Sequence, residues 1–335
     1  MVKYSTLSIL LSLSISNHLY ALEVIPTNEP NTFSLSGEGF GEAPTIALHA
    51  DFEEGPIGGS LASPWTLQSS GGPLPTYTDD RQVTGKLAAK ATFTGNYYNS
   101  TAEYKSLPKM RQIYVSYYVY VDHVAGDKSR NVKLARITSG YSSGGYDQPS
   151  LGITLFDNNN NGVIYMYPGE SKENYDDWMG TLTGKGWKRI EYFVRLSEPS
   201  STNNGLIQVK IDGNIEMNFS NIITDYYGNS FEWLSMPYYV AHDPGGDYFM
   251  YYDNVYVSDN YARVEICSTQ TYQDCTNPVI SKIESWNTNN VVFSTTDEET
   301  YSKYVYVFLA NGSLLNTNGL SVCTDCPEPP IVEVQ

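Results

Sequence analysis

The sequence predicts an all-β protein whose larger part is a sandwich of two antiparallel sheets. Three observations carry that reading. Short runs of alternating apolar and polar residues recur along the chain, separated by turn residues, which is the period of half-buried strands. The 29 Tyr, 27 Gly and 17 Pro, with charged residues at only 17 %, suit pleated surfaces joined by tight turns. No amphipathic helical pattern longer than two turns is present, and no internal repeat. A chain of 335 residues is long enough for one large β domain and a small one.

Residues 1–21 carry Lys3, an apolar and Ser-rich run from Leu7 to Ile15, and a small residue at Ala21. This is the pattern of a secretory signal cleaved after Ala21, too short and too Ser-rich to span a membrane. The mature chain is therefore expected outside the cell or on its surface. Residues 22–45 read as a polar lead-in. The main domain is expected over 46–266, starting with IALHADFE (46–53) and a long Gly/Pro/Ser connection through Pro75. GKLAAKATF (85–93) and RQIYVSYYVYVDHV (111–124) follow. In the latter, Ile113, Val115, Tyr117, Val119 and Val121 alternate against Tyr114, Ser116, Tyr118 and Tyr120. NVKLARI (131–137), SLGITLF (150–156) and GVIYMYP (162–168) continue the pattern, the last two joined by an Asn-rich hairpin turn between Phe156 and Gly162. GWKRIEYFVRLS (186–197) and LIQVKIDGNIEMNF (206–219) come next, the second turning at Asp212 and Gly213.

The stretch 231–266 reads as two strands around a loop that holds His242, Asp243, Gly245, Gly246 and Asp247. Its second strand alternates, with Phe249, Tyr251, Asp253, Val255 and Val257 on one face and Met250, Tyr252, Asn254 and Tyr256 on the other. Residues 267–278 form a disulfide-bracketed link, 279–326 a small Ig-like β domain, and 327–335 a Pro-rich tail. Four cysteines in an exported chain imply disulfides. Sequential pairing, Cys267 with Cys275 and Cys323 with Cys326, is the simplest of the three connectivities; zinc is disfavoured because no His or second CxxC accompanies the CxxC pair.

A net charge of −17 argues against nucleic acid and anionic membrane surfaces as partners. It does not forbid an anionic polysaccharide held in a local basic groove. The chain is expected to be a monomer without a cofactor. Calcium enters only as a structural ion, for which Asp253 and the Asp243/Asp247 loop have the oxygens but no EF-hand-like spacing.

The order of motifs (ADFE, GWKRIEYFVRL, LIQVKIDG, then PYYVAHDPGGDYFMYYDNVYV) resembles the concanavalin A-like lectin/glucanase jelly roll over roughly residues 46–266. Within that superfamily the closing segment looks like that of the β-jelly-roll polysaccharide lyases of the alginate and glucuronan lyase type. The resemblance implies cleavage of a uronate polymer by β-elimination, with a Lys, an Arg and a Tyr-x-Tyr pair on the concave sheet. Tyr165 and Tyr167 match the Tyr-x-Tyr pair, and alternation with Ile164 and Met166 turns both away from the core. Lys133 matches the family's Lys. Arg136 is the neighbouring cation, although strict alternation sets it on the opposite face. His242 is an assisting group or a sugar ligand. The chain departs from the pattern at Gly152 and Thr154, about where the family carries an Arg.

Other residues receive quieter readings. His49 is structural, and His123 sits in a turn. Glu191 is the one strand-borne acid with a plausible partner for glycoside hydrolysis, but the glucanase signature ExDxxE is absent, which ranks hydrolysis third. Tyrosines on an exposed sheet face also suit a lectin or surface-adhesion protein that binds sugar without cleaving it.

Overall fold

The computed structural model describes residues 22–69, 73–93, 100–104, 107–122, 131–139, 149–156, 161–169, 174–180, 182, 184–237, 239–241, 248–296 and 303–322. The proposed signal, the Asn turn, the 242–247 loop with His242, His123 and the Cys323/Cys326 pair lie outside the described residues. The strands run β1 (Glu23–Pro26), β2 (Thr32–Ser36), β3 (Ile46–Ala50), β4 (Thr66–Ser69), β5 (Thr76–Thr78), β6 (Ala88–Phe93), β7 (Ser100–Tyr104) and β8 (Gln112–Asp122). They continue with β9 (Asn131–Thr138), β10 (Ser150–Phe156), β11 (Asn161–Tyr167), β12 (Tyr175–Gly180), β13 (Trp187–Arg195), β14 (Gly205–Ile211), β15 (Asn214–Ile222) and β16 (Trp233–Met236). The chain closes with β17 (Tyr239–Ala241), β18 (Tyr248–Ser258), β19 (Arg263–Cys267), β20 (Val279–Ile280), β21 (Lys282–Trp286), β22 (Asn290–Ser294), β23 (Tyr304–Phe308) and β24 (Leu320–Ser321). Among the described residues the helical content is one 3-10 turn, Tyr272–Asp274, and no helix is long and apolar enough to cross a membrane.

Two eight-stranded antiparallel sheets make the sandwich. The front sheet runs β12-β11-β10-β9-β16-β7-β4, with β17 also on β9; the back sheet runs β15-β14-β13-β8-β18-β6-β5, with β3 also on β18. Alternation explains the layer between them. Ile113, Val115, Tyr117, Val119 and Val121 of β8 all enter the shared core, facing Leu134, Ile137, Leu151, Ile153, Ile164 and Met166 of the front sheet. Burying one face of every strand against the other sheet is the favourable term that outweighs chain ordering. The β14–β15 hairpin turns where the sequence implies, with Asp212 and Gly213 both at positive φ.

The strand alternation expected for β18 does not hold throughout. A register shift lies between Asp253 and Tyr256, and Asn254 takes φ +47°, a conformation Asn tolerates better than most residues. Beyond it the parity flips: Val255 and Val257 join Met250 and Tyr252 in the core, while Tyr256 packs on the outer side with Tyr114 and Phe193. The bulge also aims Asn254 at the small module. Its Oδ1 accepts the Ile280 amide at 3.0 Å, and its Nδ2 donates to the Ile280 carbonyl at 3.2 Å.

That module is built from both ends of the described chain. The segment read as a lead-in supplies β1 and β2, and β2 pairs with β22 from Thr32↔Ser294 to Ser36↔Asn290. One four-stranded sheet runs β1-β2-β22-β21, the other β20-β19-β23-β24. They enclose a second core of Phe33, Leu35, Phe40, Val264, Ile266, Val291, Phe293, Val305 and Val307. The Cys267–Cys275 disulfide is formed.

Candidate functional site

Each face of the sandwich can be traced from its side chains, and the two outer faces differ. The outer face of the back sheet is covered at one end by the small module through a buried ionic cluster. Arg189 donates to Glu265 at 2.5 Å, and Arg263 donates to the same Oε1 at 2.5 Å. Tyr272 donates to the other Glu265 oxygen at 2.6 Å, and Tyr114 to Glu191 at 2.6 Å. The two guanidinium groups overcome the cost of burial and hold the Glu265 carboxyl down at about 2; Glu191 is lowered for the same reason. Glu191 is thus consumed in the junction and faces away from any groove. His49 acts there too, its Nε2 lying 3.1 Å from the Ile280 carbonyl.

Asp253 is likewise an anchor. Its fully buried carboxylate accepts the amides of Val83, Thr84 and Asn254 at 2.7, 3.2 and 2.7 Å. Burial outweighs those three bonds and pushes the carboxyl up to about 7. Among the described residues no group of three or more His, Cys, Asp or Glu side chains is placed to hold a metal ion.

The outer face of the front sheet is different: it is polar and aromatic. The pairing register lines up a row across it: Asp176 on β12, Tyr165 on β11, Gly152 on β10, Arg136 on β9, Ser235 on β16 and Glu103 on β7. A second row carries Trp178, Val163, Thr154 and Lys133. A third holds Tyr167, Ser150, Thr138 and Trp233.

Here one expectation is corrected. Lys133 and Arg136 share this outer face. The β9–β10 register slips between Gly152 and Thr154, so that three steps along β9 match two along β10. Leu134 and Ala135 are both buried within the slip, and the parity resets. Without the bulge, a side chain three positions on from Lys133 would enter the core. Lys133 is half-buried, and its ammonium is held below the ordinary lysine range, first by burial and then by the charge of Arg136. Arg136 donates through Nε to Ser150.

Tyr165 and Tyr167 lie on the side of β11 away from Ile164 and Met166, with ring centroids 4.8 Å apart; Tyr167 is half-buried, and Tyr165 is buried at 4 % exposure. Gly152 explains the position of the first ring. A Cβ there would lie 2.8 Å from the Tyr165 hydroxyl and 3.2 Å from the Ala135 carbonyl, so the tyrosine occupies the space that a side chain at 152 would need. The position of the arginine that the resemblance implies is filled by a ring, while Lys133 and Arg136 stand on β9.

The structure therefore brings four of the five sequence-predicted residues, Lys133, Arg136, Tyr165 and Tyr167, onto one sheet face; His242 lies outside the described residues. Sequence reasoning missed Ser150, Ser235, Glu103, Trp178 and Trp233. Ser150 follows from extending the Gly152/Thr154 parity by one step. Trp178 alternates with the core residue Met179 in a strand too polar to read as one, and it is 65 % exposed.

No protein-family model matches the sequence, and no curated protein matches it. Solved structures do match. The chain is similar to an endo-β-1,4-glucuronan lyase from the fungus Trichoderma reesei, with TM-score 0.50 and 16 % identity over 65 % of this chain and 97 % of that one. It is also similar to alginate lyase Aly36B (TM-score 0.48, 13 % identity, 64 % of this chain and 97 % of that one). A third is domain 4 of AbnA, an extracellular arabinanase of Geobacillus stearothermophilus, with TM-score 0.41 and 15 % identity over 65 % and 94 % of the two chains. The likeness to the glucuronan lyase establishes the jelly-roll sandwich as the fold of the larger part of this chain; fold alone does not assign chemistry.

Proposed function

We propose that this protein acts outside the cell on an acidic polysaccharide, binding uronate residues on the outer face of the front sheet and cleaving the chain by β-elimination. The observation that supports it is the β9 bulge, which places Lys133 and Arg136 on one face beside the Tyr165/Tyr167 pair. Two cations held together repel each other, and a carboxylate between them relieves that repulsion. Neutralising the carboxylate acidifies the adjacent C–H. One tyrosine, entering as its phenolate, then takes that proton and becomes a neutral phenol, the β carbon–oxygen bond breaks, and the other, neutral tyrosine protonates the leaving glycosidic oxygen and becomes the phenolate. The product is an unsaturated uronate, and no water is consumed. The structural neighbours named glucuronan and alginate lyases agree with this chemistry at the level of class.

The test is the ultraviolet absorbance of that unsaturated product over a panel of uronate polymers. Tyr165→Phe with Tyr167→Phe should lower turnover by about 10²-fold or more while binding holds within a few-fold, because only hydroxyls are lost. A second reading, a lectin using the same face, is favoured by Gly152, since the arginine of the resemblance is replaced there by a packed ring. Binding by the wild type with no unsaturated product on any polymer would select it.

A further inference from the structure

The bulge in β9 leaves two residues out of register with both neighbouring strands. On the β10 side the pairing passes from Gly152↔Arg136 to Thr154↔Lys133. On the other side it passes from Ser235↔Arg136 of β16 to Tyr239↔Lys133 of β17. Leu134 and Ala135, both buried, are matched by neither neighbour. A buried backbone amide outside the ladder needs another acceptor. Tyr117 supplies one. It reaches from β8 of the back sheet into the shared core, fully buried, and its hydroxyl oxygen accepts a hydrogen bond from the Ala135 amide. The same hydroxyl is paired with that of Tyr192 on β13 at 2.8 Å. The flanking inward positions on these two strands are Val115, Val119, Ile190 and Val194, all apolar. Packing alone would be served by a phenylalanine at 117, since a buried hydroxyl costs free energy unless it is bonded.

We infer that Tyr117 is a positioning residue for the proposed site: its hydroxyl holds the Ala135 amide from the core side and so fixes the bulge that sets Lys133 and Arg136 on one face. This rests on the binding face proposed above. A strand that slips by one residue exchanges its two faces, so the cation pair depends on where along β9 the extra residue sits. Tyr117 meets no ligand itself. It acts through the main chain of β9, from the opposite sheet and across the shared core.

The experiment compares Tyr117→Phe with Tyr192→Phe in the full chain. Both lose the same phenol–phenol bond, and only the first loses the bond to Ala135. Two quantities are read: amide hydrogen exchange at Ala135, and calorimetric affinity for a glucuronate oligosaccharide. Tyr117→Phe should speed exchange at Ala135 relative to the rest of the core and weaken binding about tenfold, the loss of one well-placed charge-assisted contact. Tyr192→Phe should leave affinity within about twofold of wild type and Ala135 exchanging in step with the core. If the two variants match in both readouts, the inference is overturned and the hydroxyl serves stability alone. Where Tyr117→Phe does not fold, wild type titrated with the oligosaccharide under NMR takes its place. The Tyr117 hydroxyl and Ala135 amide resonances should then move together as ligand binds; both staying fixed while Lys133 moves would overturn the inference. Wild type that binds no uronate would overturn the binding face, and the positioning role with it, even where exchange confirms the Ala135 bond.

Discussion

The buried charges at the module junction allow a stability effect to be worked out. Glu265 receives hydrogen bonds from Arg189, Arg263 and Tyr272, is fully buried, and is held at about 2. An unpaired glutamate titrates near 4.3, so the shift of about two units corresponds to roughly 3 kcal/mol of stability at neutral pH. Glu265→Gln keeps the shape and removes the charge, leaving two guanidinium groups facing only Glu191. Breaking a buried pair in this way costs about 3–5 kcal/mol, in agreement with the linkage figure. The assay is urea unfolding followed by tryptophan fluorescence between pH 7 and pH 2. The sign follows from a depressed folded-state value. The contribution is fully present above about pH 4.3 and is lost as pH falls toward 2, so the variant should be less stable at neutral pH and show a shallower acid slope. Binding on the front face, across the sandwich, should be unchanged. A loss under about 1 kcal/mol, with the acid slope intact, would refute the claim that the cluster holds the junction.

Other outcomes follow from the same geometry. Asp253 has the opposite sign: raised to about 7, it favours the folded state most below about pH 4, and stability should decline by a few kcal/mol as pH rises through 7. Asp253→Asn should flatten that slope in pH-dependent melts. Gly152→Ala places a methyl 2.8 Å from the Tyr165 hydroxyl; it should cost about 1–3 kcal/mol and lower turnover more than affinity, read by melting and steady-state kinetics. Affinity for uronate oligosaccharides should fall at a lower pH than an ordinary lysine would give, because burial and Arg136 make Lys133 lose its proton early. Lys133→Arg, which stays charged, should remove that limb in titrations across the alkaline range.

Much of the fold was legible because burial imposes a period that composition cannot hide. β8 alternates over its whole length, and its apolar set all enters the core. The Asp212–Gly213 turn announces itself because both residues tolerate positive φ. What alternation cannot show is where it resets. A bulge adds a residue without changing the composition of its strand, so β9 and β18 read as regular while the structure flips their parity. In β18 the available signal was Asn254, polar and tolerant of left-handed backbone. In β9 the signal was Arg136 itself: strict alternation would have buried a guanidinium among Leu151, Ile153 and Ile164, which is too costly without a partner. The place of residues 22–36 was illegible for another reason. Their partners in β22 lie more than 250 positions away, and no local pattern encodes a pairing at that separation.

The same argument explains why the site stands on one sheet and not on the other. Both sheets carry tyrosine-rich outer faces and both carry arginines. At the back sheet, Arg189 and Glu191 of β13 and Arg263 and Glu265 of β19 in the small module match one another and are sealed at their junction, so their charge serves the junction. On the front sheet, the bulge in β9 sets two cations side by side, and burial together with Arg136 holds Lys133 below its ordinary range, so the protonated form is the strained one. A surface that holds like charges together is stabilised by an incoming anion. The one-residue slip between Lys133 and Arg136 is therefore the local feature on which the proposed anion binding of this face depends.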